Sequence, residues 1–259
     1  MKAVREHPAL RAEGLSKSYA AASGRLAVLD NVRLEIPRGG FLALLGPSGS
    51  GKSTLLNLLA GLEAPDRGFV EIAGVAPGAA RPIAYMQQKA LLLPWRTVWD
   101  NILLGPELRG AAERARLEPA AREWLRAFRL ESFRDTFPAQ LSGGMRQRAA
   151  LIRTLLCEQP ILLLDEPFGA VDAMTRLRLQ GHLLSVWEAL GKTVVLVTHD
   201  VEEALSLATR IVLMSGQPGR IVEEIEVPLP HRVRAQTPEL VRLKMRILER
   251  LGVEDADHA

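Results

Sequence analysis

The stretch GPSGSGKST, from Gly46 to Thr54, decides the fold class of this chain. Two glycines set five positions apart, followed by Lys52 and Ser53, form the phosphate-loop pattern. Glycine is needed because successive backbone N–H groups must turn toward one anion without interference from a Cβ atom. The lysine adds a positive charge for the β- and γ-phosphates, and the serine offers a hydroxyl to Mg²⁺.

The residues on either side of the loop support this interpretation. The run Phe41–Leu45 is entirely apolar, as in a buried parallel strand, and leucines recur at helical spacing after Thr54. The phosphates would therefore lie at the N-terminus of a helix. The sequence predicts that the chain binds a nucleoside triphosphate with magnesium, through the loop residues Gly46, Pro47, Ser48, Gly49, Ser50, Gly51, Lys52, Ser53 and Thr54.

The composition is that of a soluble globular protein, with 47% hydrophobic and 24% charged residues. A formal net charge of +3 without a lysine-rich block gives no reason to expect a nucleic-acid partner. The single cysteine, Cys157, excludes an internal disulfide, and its apolar neighbours predict a buried structural thiol. Neither a signal peptide nor a run of about 18 apolar residues is found, so we expect a cytoplasmic chain that reaches a membrane only through a partner.

Short apolar runs alternate with helical segments, which predicts an α/β protein with a parallel sheet. The composition changes between residues 98 and 137 to alanine, arginine, glutamate and leucine, which indicates a helical insertion. Prolines and glycines recur in residues 216–230, where we expect the core to end. The predicted strands are residues 26–36 (antiparallel), 41–45, 69–72, 83–86, 161–164, 193–198 and 211–214.

A tail helix is predicted after the core. Thr237 offers a capping hydroxyl, Pro238 suits the first turn, and Gly252 closes the helix. Its leucines and isoleucine share one face, so we expect the helix to pack on the core, with a regulatory role as the alternative.

Two adjacent acids follow a buried strand in the segment ILLLDEP, residues 161–167. The carboxyl ends of strands are where open α/β sheets bind ligands. Asp165 can hold the Mg²⁺ shell, and Glu166 can orient or deprotonate an attacking water. Such acids can also be merely solvated, but the phosphate loop in the same chain favours the catalytic interpretation.

The segment LSGGMRQR, residues 141–148, identifies the class. Ser142, Gly143 and Gly144 form a second small anion site that opens a helix and suits a γ-phosphate. The chain thus carries two phosphate sites but only one loop with a lysine. In this respect it strongly resembles the ATP-binding-cassette (ABC) ATPases, in which the serine-glycine-glycine motif caps ATP bound to the other subunit of a head-to-tail dimer.

The resemblance implies an α/β fold: a P-loop NTPase (RecA-like) core with an N-terminal antiparallel β subdomain and an inserted α-helical subdomain. It assigns residues 1–230 to the ATP-binding domain, with the helical subdomain at about residues 89–155, and leaves residues 231–259 as a C-terminal helical tail. The implied cofactors are ATP and Mg²⁺.

Four further residues match motifs of that family. Tyr19 resembles the aromatic residue that stacks on adenine, although it could be an exposed strand tyrosine. Gln88 matches the glutamine that reaches Mg²⁺ and the attacking water, with Gln87 as the less favoured register. Asp172 matches the acid of the inter-subunit loop, and His199 matches the histidine that contacts the γ-phosphate.

Two positions depart from the family pattern. Met145 stands where glutamine is commoner, a change that many importer subunits share. Val171 stands where leucine is commoner.

The segment QKALLLPWRTVWDNI, residues 88–102, together with EPFGAVDAMTR and SGQPGRI, resembles the nitrate, sulfonate and taurine importer group, which also contains carriers of pyrimidine vitamin precursors. The resemblance implies an integral membrane permease subunit as partner and, indirectly, an external solute-binding protein. Leu93, Pro94 and Trp95 lie where the family receives a cytoplasmic helix of the permease. Trp95 is a candidate interface anchor, whereas Trp99 is equally compatible with core packing.

The expected function is therefore that of an ATP-hydrolysing importer subunit, peripheral on the inner face of the cell membrane. The transported solute leaves no trace in the sequence. Two alternatives remain: a soluble ABC ATPase that acts on a non-membrane target, and a nucleotide-dependent module that does not hydrolyse ATP. The presence of Glu166 argues against the second.

Overall fold

The computed structural model describes residues 8–21, 24–76, 78–227 and 237–252. The chain forms two compact units. The first unit is Met1–Arg81 with Thr193–Ala259, and the second unit is Pro82–Lys192. Each unit carries part of the predicted site.

A three-stranded antiparallel sheet opens the first unit. Its strands are β1 (Leu10–Ala21), β2 (Gly24–Ile36) and β4 (Arg67–Ile72), in the order β2-β1-β4. Residues at every second position near the start of β1 are buried, as expected for a sheet with one face on a core. The antiparallel strand predicted at 26–36 and the strand at 69–72 are confirmed, whereas β1 was not identified from the sequence.

The α/β part of the first unit contains β3 (Phe41–Leu45), α1 (Lys52–Ala60), β7 (Thr193–Val197), α7 (Val201–Leu207), β8 (Arg210–Met214) and β9 (Ile221–Glu226). Strand β3 lies between β7 and β8 and is parallel to both. Every residue of β3 and β7 is buried, which explains their continuous apolar sequence. Strand β9 pairs antiparallel with β8, so residues 221–226 still belong to a sheet, although the core was expected to end in this part of the sequence.

The predicted tail helix is α8 (Pro238–Leu251), which contacts α7. The Thr237 hydroxyl accepts a hydrogen bond from the N–H of Leu240, and Gly252 ends the helix in the left-handed conformation. Leu240 and Ile247 are buried. Arg246 forms an ion pair with Glu223 of β9. The expectation that the helix packs on the core is confirmed.

The second unit combines two parallel strands with helices. Strand β5 (Ile83–Met86) pairs with β6 (Ile161–Asp165). The helices are α2 (Val98–Ile102), α3 (Leu104–Leu108), α4 (Ala111–Ala127), α5 (Gly143–Leu156) and α6 (Ala173–Leu190), with 3₁₀ turns at Glu131–Phe133 and Pro138–Gln140. The predicted helical insertion is confirmed.

Helix α5 is central to the second unit because it contacts α2, α3, α4 and β5. Its buried face is mostly apolar, with alanine, leucine and isoleucine from residue 149 to residue 156. Cys157 follows directly and is partly buried; burial raises the pKa of its thiol, as expected for a structural residue. Across the ranges that the structure describes, no helix combines the length and the apolar character that a membrane span needs.

Candidate functional site

The phosphate loop connects β3 to α1 in the first unit. Gly49 and Gly51 adopt φ angles of 79° and 86°, which favour glycine. A Cβ atom on Gly51 would also lie 2.8 Å from Leu29 Cδ2 and 3.0 Å from the carbonyl oxygen of Val28. Gly51 is the N-cap of α1 and, as a glycine, has no side chain to cap the helix, so the start of α1 suits an anion.

Lys52 lies within the loop that precedes it. Its ammonium Nζ donates to the carbonyl oxygens of Gly46 and Pro47, both at 2.8 Å, and to Ser50 Oγ at 3.2 Å. The side chain is only 8% exposed, so the loop surrounds a positive charge. Ser53, the predicted Mg²⁺ ligand, is exposed at the start of α1. This arrangement concentrates positive potential and backbone donors at one end of the helix.

Tyr19 lies beside the loop, on β1. Its hydroxyl donates to Glu63 Oε2 at 2.5 Å and lies near the Thr54 side chain of the loop. Burial, followed by the bond to Glu63, raises the pKa of Tyr19, and the Tyr19 hydroxyl lowers the pKa of Glu63. The side chain remains 37% exposed, and the ammonium of Lys17 is 5.5 Å from the ring centroid. An anchored aromatic ring with an open face suits stacking on a base.

His199 follows β7 and is exposed. Its neighbours on both sides are fixed: the N–H of Asp200 donates to Thr198 Oγ1 at 3.0 Å, and the Asp200 carboxylate caps α7 by accepting from the N–H groups of Glu202 and Glu203. The backbone at His199 is therefore held between a buried strand and a helix cap.

In the second unit, Asp165 and Glu166 end strand β6. Asp165 is 2% exposed, while Glu166 is half-buried. Glu166 has a φ angle of 48°, which costs a non-glycine residue roughly 1–2 kcal/mol. Strain of this kind collects at functional sites. The Gln88 amide Nε2 donates to Glu166 Oε2 at 3.2 Å, so the structure brings two of the predicted catalytic residues together.

Sequence reasoning missed Gln147, a residue that contacts both of them. This side chain on α5 is 7% exposed, and its Nε2 donates to the carbonyl oxygens of Gln88 at 3.1 Å and Glu166 at 3.3 Å. Arg153, two turns further along the helix, donates to the carbonyl oxygens of Ala90 and Leu91 at 2.8 Å each. The sequence pattern that could have identified Gln147 was a polar residue on the otherwise apolar face of a predicted helix.

The residues Ser142, Gly143 and Gly144 open α5 as predicted. Ser142 is the N-cap, and its Oγ accepts from the N–H of Met145 at 3.3 Å; this bond uses an oxygen lone pair, so the hydroxyl hydrogen can still donate to an anion. Gly143 is exposed, with no heavy atom within 4 Å of the position of a Cβ atom. Gly144 passes close to the Ala170 carbonyl, which a Cβ atom would approach to 2.6 Å.

Asp172 caps α6 by accepting from the N–H of Thr175 at 3.0 Å. This bond is the first cause of a lowered pKa for the Asp172 carboxyl. The side chain is exposed, so its local role is to start a helix.

The two tryptophans near Gln88 have different environments. Trp95 is 71% exposed, whereas Trp99 is 7% exposed, with the guanidinium of Arg134 4.2 Å from its ring centroid. Core packing is thus the structural role of Trp99. The loop that carries Trp95 is fixed by fully buried Asn101, whose side chain accepts from the N–H of Leu93 and donates to the carbonyl oxygens of Leu93, Arg96 and Thr97.

The predicted site residues therefore fall into two groups. The first unit contains Tyr19, the phosphate loop and His199, and the second contains Gln88, Ser142, Gly143, Gly144, Asp165, Glu166 and Asp172. Within the described ranges, no group of three or more His, Cys, Asp or Glu side chains could hold a metal ion. Ser53 of the first unit offers a hydroxyl and Asp165 of the second unit offers a carboxylate, which are oxygen donors of the kind that Mg²⁺ prefers.

Comparisons with known proteins agree with this geometry. A match to the ABC transporter family covers residues 29–169, more than half of the chain. The taurine import ATP-binding protein TauB of Pseudomonas aeruginosa is 43% identical over 262 residues, which cover 96% of this chain and 98% of TauB. The aliphatic sulfonates import ATP-binding protein SsuB 1 of Pseudomonas fluorescens is 46% identical over 228 residues, 88% of this chain and 82% of SsuB 1.

The fold also matches a solved structure. The dimeric structure of a post-hydrolysis state of the ATP-binding cassette MJ0796, bound to ADP and Pi, superposes with a TM-score of 0.76 and 33% identity. The match covers 85% of this chain and all of that one.

Proposed function

This chain belongs to the ABC transporter family, and from that premise we propose that it is the ATP-hydrolysing subunit of a bacterial importer for a small solute. The observation that carries the proposal is the phosphate loop. It surrounds the buried ammonium of Lys52 and leads into a helix whose N-cap is a glycine, which together suit the phosphates of ATP.

The reaction is hydrolysis of ATP: water attacks the γ-phosphorus, the bond to the oxygen that bridges the β- and γ-phosphates breaks, and ADP and phosphate are released. Glu166 is the proposed general base for the attacking water, and Gln88, within hydrogen-bond distance of it, orients that water. His199 contacts the γ-phosphate. Ser53 and Asp165, with Gln88, would hold Mg²⁺, which neutralises charge that develops on the phosphate oxygens.

The working form of the subunit is a head-to-tail dimer of two copies. Ser142, Gly143 and Gly144 of one copy cap the γ-phosphate of ATP bound to the other copy, and Asp172 lies in the loop between them. The exposed Gly143 and the unused hydroxyl hydrogen of Ser142 support this assignment, as does the dimeric state of the similar cassette MJ0796.

The membrane partner is a permease subunit that docks on the loop at Leu93, Pro94 and Trp95. Trp95 is 71% exposed, and Asn101 holds the backbone of that loop by donating to the Arg96 carbonyl. The subunit is cytoplasmic and peripheral on the inner face of the membrane, and an external binding protein selects the solute. The named relatives favour taurine or another sulfonate, with nitrate and vitamin precursors as further candidates.

Glu166→Gln tests the chemistry. The amide keeps the size and polarity of the side chain but cannot accept the proton, so hydrolysis should fall by a factor on the order of 10²–10⁴ while ATP binding remains. The readouts are phosphate release, nucleotide affinity and light scattering with ATP and Mg²⁺. Accumulation of an ATP-bound dimer supports the proposal. Undiminished phosphate release from the variant would remove Glu166 from the mechanism.

Trp95→Ala tests the membrane partner. A large aromatic side chain buried by a partner contributes about 2 kcal/mol or more when it is a hot spot. We expect normal ATP affinity in the isolated subunit, weaker capture of the permease and lower solute uptake in reconstituted vesicles. Trp99→Ala is the contrasting variant: it removes a buried ring and should lower thermal stability. Full assembly and uptake with Trp95→Ala would contradict a docking role.

A further inference from the structure

Gln147 makes two contacts that no family motif discussed above requires. Its side-chain amide carries two hydrogens, and each points to a different backbone carbonyl: Gln88 at 3.1 Å and Glu166 at 3.3 Å. These residues lie 59 and 19 positions away in the sequence. The side chain is more than nine-tenths buried, so water cannot easily replace either bond.

We propose that Gln147 is a positioning residue for ATP hydrolysis: it fixes the backbones of Gln88 and Glu166 so that their side chains meet at the attacking water. This inference rests on the proposed function, because it assigns Gln147 a role only through those two residues. In this role Gln147 acts through its bonds to those two residues and not through a contact with the nucleotide or the water.

The backbone conformation of Glu166 explains why it needs support from the hydrogen bonds of Gln147, which we call the brace. With a φ angle of 48°, Glu166 occupies a conformation that is unfavourable for a residue with a side chain. A conformation of this kind persists only when the surroundings impose it. The bond from Gln147 to the Glu166 carbonyl is one such constraint, and the N–H of Gly169 donates to the same oxygen at 3.2 Å.

The second bond couples Glu166 to Gln88. The Gln88 side chain donates to the Glu166 carboxylate at 3.2 Å, so the separation of the two backbones determines whether that contact forms. One amide that holds both carbonyls sets this separation directly. Because a displacement of about 1 Å in a catalytic group can cost about 10²-fold in rate, losing the brace should reduce turnover more than it reduces folding.

The same face of α5 supports the segment after Glu166 at another point. Gly144 lies one turn before Gln147 and passes so close to the Ala170 carbonyl that a Cβ atom would be 2.6 Å away. Gly144 and Gln147 thus fix residues 166–170 from one helix. By contrast, Arg146 and Arg148 on either side of Gln147 donate to the carbonyls of Leu141 and Phe128.

The test uses Gln147→Met, which keeps the length and burial of the side chain but removes its donors. Thr154→Val is the matched control: Thr154 is also buried on α5, and its hydroxyl donates to Ala150 of the same helix at 2.9 Å. We expect kcat for ATP to fall about 10- to 100-fold in Gln147→Met, with ATP affinity within about twofold of the parent. The control should retain the parental kcat, and both variants should lose similar amounts of thermal stability.

A second measurement separates positioning from general support of the fold. When Gln147→Met is combined with Glu166→Gln, the residual hydrolysis should not fall further, because there is no base left to position. An equal fold-loss in the presence and absence of Glu166 would overturn the proposal, as would an unchanged kcat in Gln147→Met alone. If Glu166→Gln alone left hydrolysis intact, the assignment of Glu166 as the base in the proposed function would fail instead, so the two failures are distinguishable.

Discussion

The phosphate loop and the segment around Glu166 hold their site residues by different means. In the loop, Lys52 contacts carbonyls five and six residues earlier, and glycines with positive φ angles set the backbone. Around Glu166, the contact with Gln88 spans 78 residues of sequence, and the brace from Gln147 spans 59 and 19. The contacts of Lys52 and the glycine conformations thus lie within nine consecutive residues. The contacts around Glu166 form only when distant parts of the second unit come together.

Because of this difference, the phosphate loop and the second unit should respond differently to substitutions and to pH. The loop depends on backbone space, so a single methyl group can disrupt it, but it contains no carboxylate that could titrate. The second unit depends on side-chain hydrogen bonds and ion pairs, which tolerate small changes in volume but respond to pH. Three predictions test this contrast.

Gly51→Ala should have the largest effect. The φ angle of 86° costs a residue with a Cβ atom about 1–2 kcal/mol, and the new atom would meet Leu29 and Val28, which adds about 1–3 kcal/mol. Expressed entirely in binding, a total of about 2 kcal/mol or more is at least about a 30-fold loss of ATP affinity, measurable by calorimetry.

Gly49→Ala is the matched variant for this prediction. Its φ angle of 79° carries the same backbone cost, but no heavy atom lies within 4 Å of the added methyl group. Its loss of affinity should therefore be smaller. Equal losses in the two variants would show that backbone strain alone, not close packing against β2, limits the loop.

Tyr19→Leu should have a moderate effect and tests whether the loop binds phosphates independently of the base. Lost stacking on adenine is worth about 0.5–1.5 kcal/mol, so ATP affinity should fall about 2- to 12-fold. Affinity for inorganic triphosphate should not change, and Tyr19→Phe, which keeps the ring but not the bond to Glu63, should retain most ATP affinity. An equal loss for triphosphate would mean that Tyr19 supports the loop through Thr54 rather than stacking on the base.

Asp100→Asn should have the smallest effect and tests the pH response of the second unit. The Arg114 guanidinium donates to Asp100 at 2.8 Å and is the first cause that holds the pKa of that carboxyl below its usual value. A lowered folded-state pKa stabilises the fold above the unfolded-state pKa, and this contribution is lost as pH falls through the lowered value.

The Asp100→Asn variant should therefore be less stable than the parent at pH 7, by no more than about 1 kcal/mol because the pair is partly exposed. The difference should shrink as the pH falls below about 4, in denaturant titrations across pH. Asp135→Asn, which changes an exposed carboxylate, is the control. A difference that stays constant with pH would contradict the ion-pair explanation.

The contrast between local and long-range contacts also explains which features could be predicted from the sequence. Strand β3, the phosphate loop and the start of a helix at Ser142, Gly143 and Gly144 were predicted because each depends on neighbouring residues. Strand β1 was missed because its apolar alternation covers only Leu10 and Ala12, and all residues after buried Leu15 are half-buried or exposed. Strand β9 was hidden by the glycines and prolines around it and by three glutamates on its six residues.

The roles of Gln147, Arg153 and Asn101 could not be predicted in this way. Each is a polar side chain that donates to backbone carbonyls, which lie far away in sequence for Gln147 and Arg153 and four to eight residues earlier for Asn101. A backbone carbonyl has no sequence signature, since every residue has one. Only the folded chain shows which carbonyls these side chains reach, and therefore which loops they hold.

Helix α5 has a further consequence for the proposed dimer. In that proposal its N-cap Ser142 would face the ATP bound by the partner copy, while Gln147, little more than one turn later, donates to Glu166 of its own copy. A shift of this one helix would alter the contacts with the ATP bound to the partner copy. It would also alter the position of the base that acts on the ATP bound to its own copy. The two nucleotides of a dimer built in this way would not be hydrolysed independently, and the rate at either one would depend on whether the other is present.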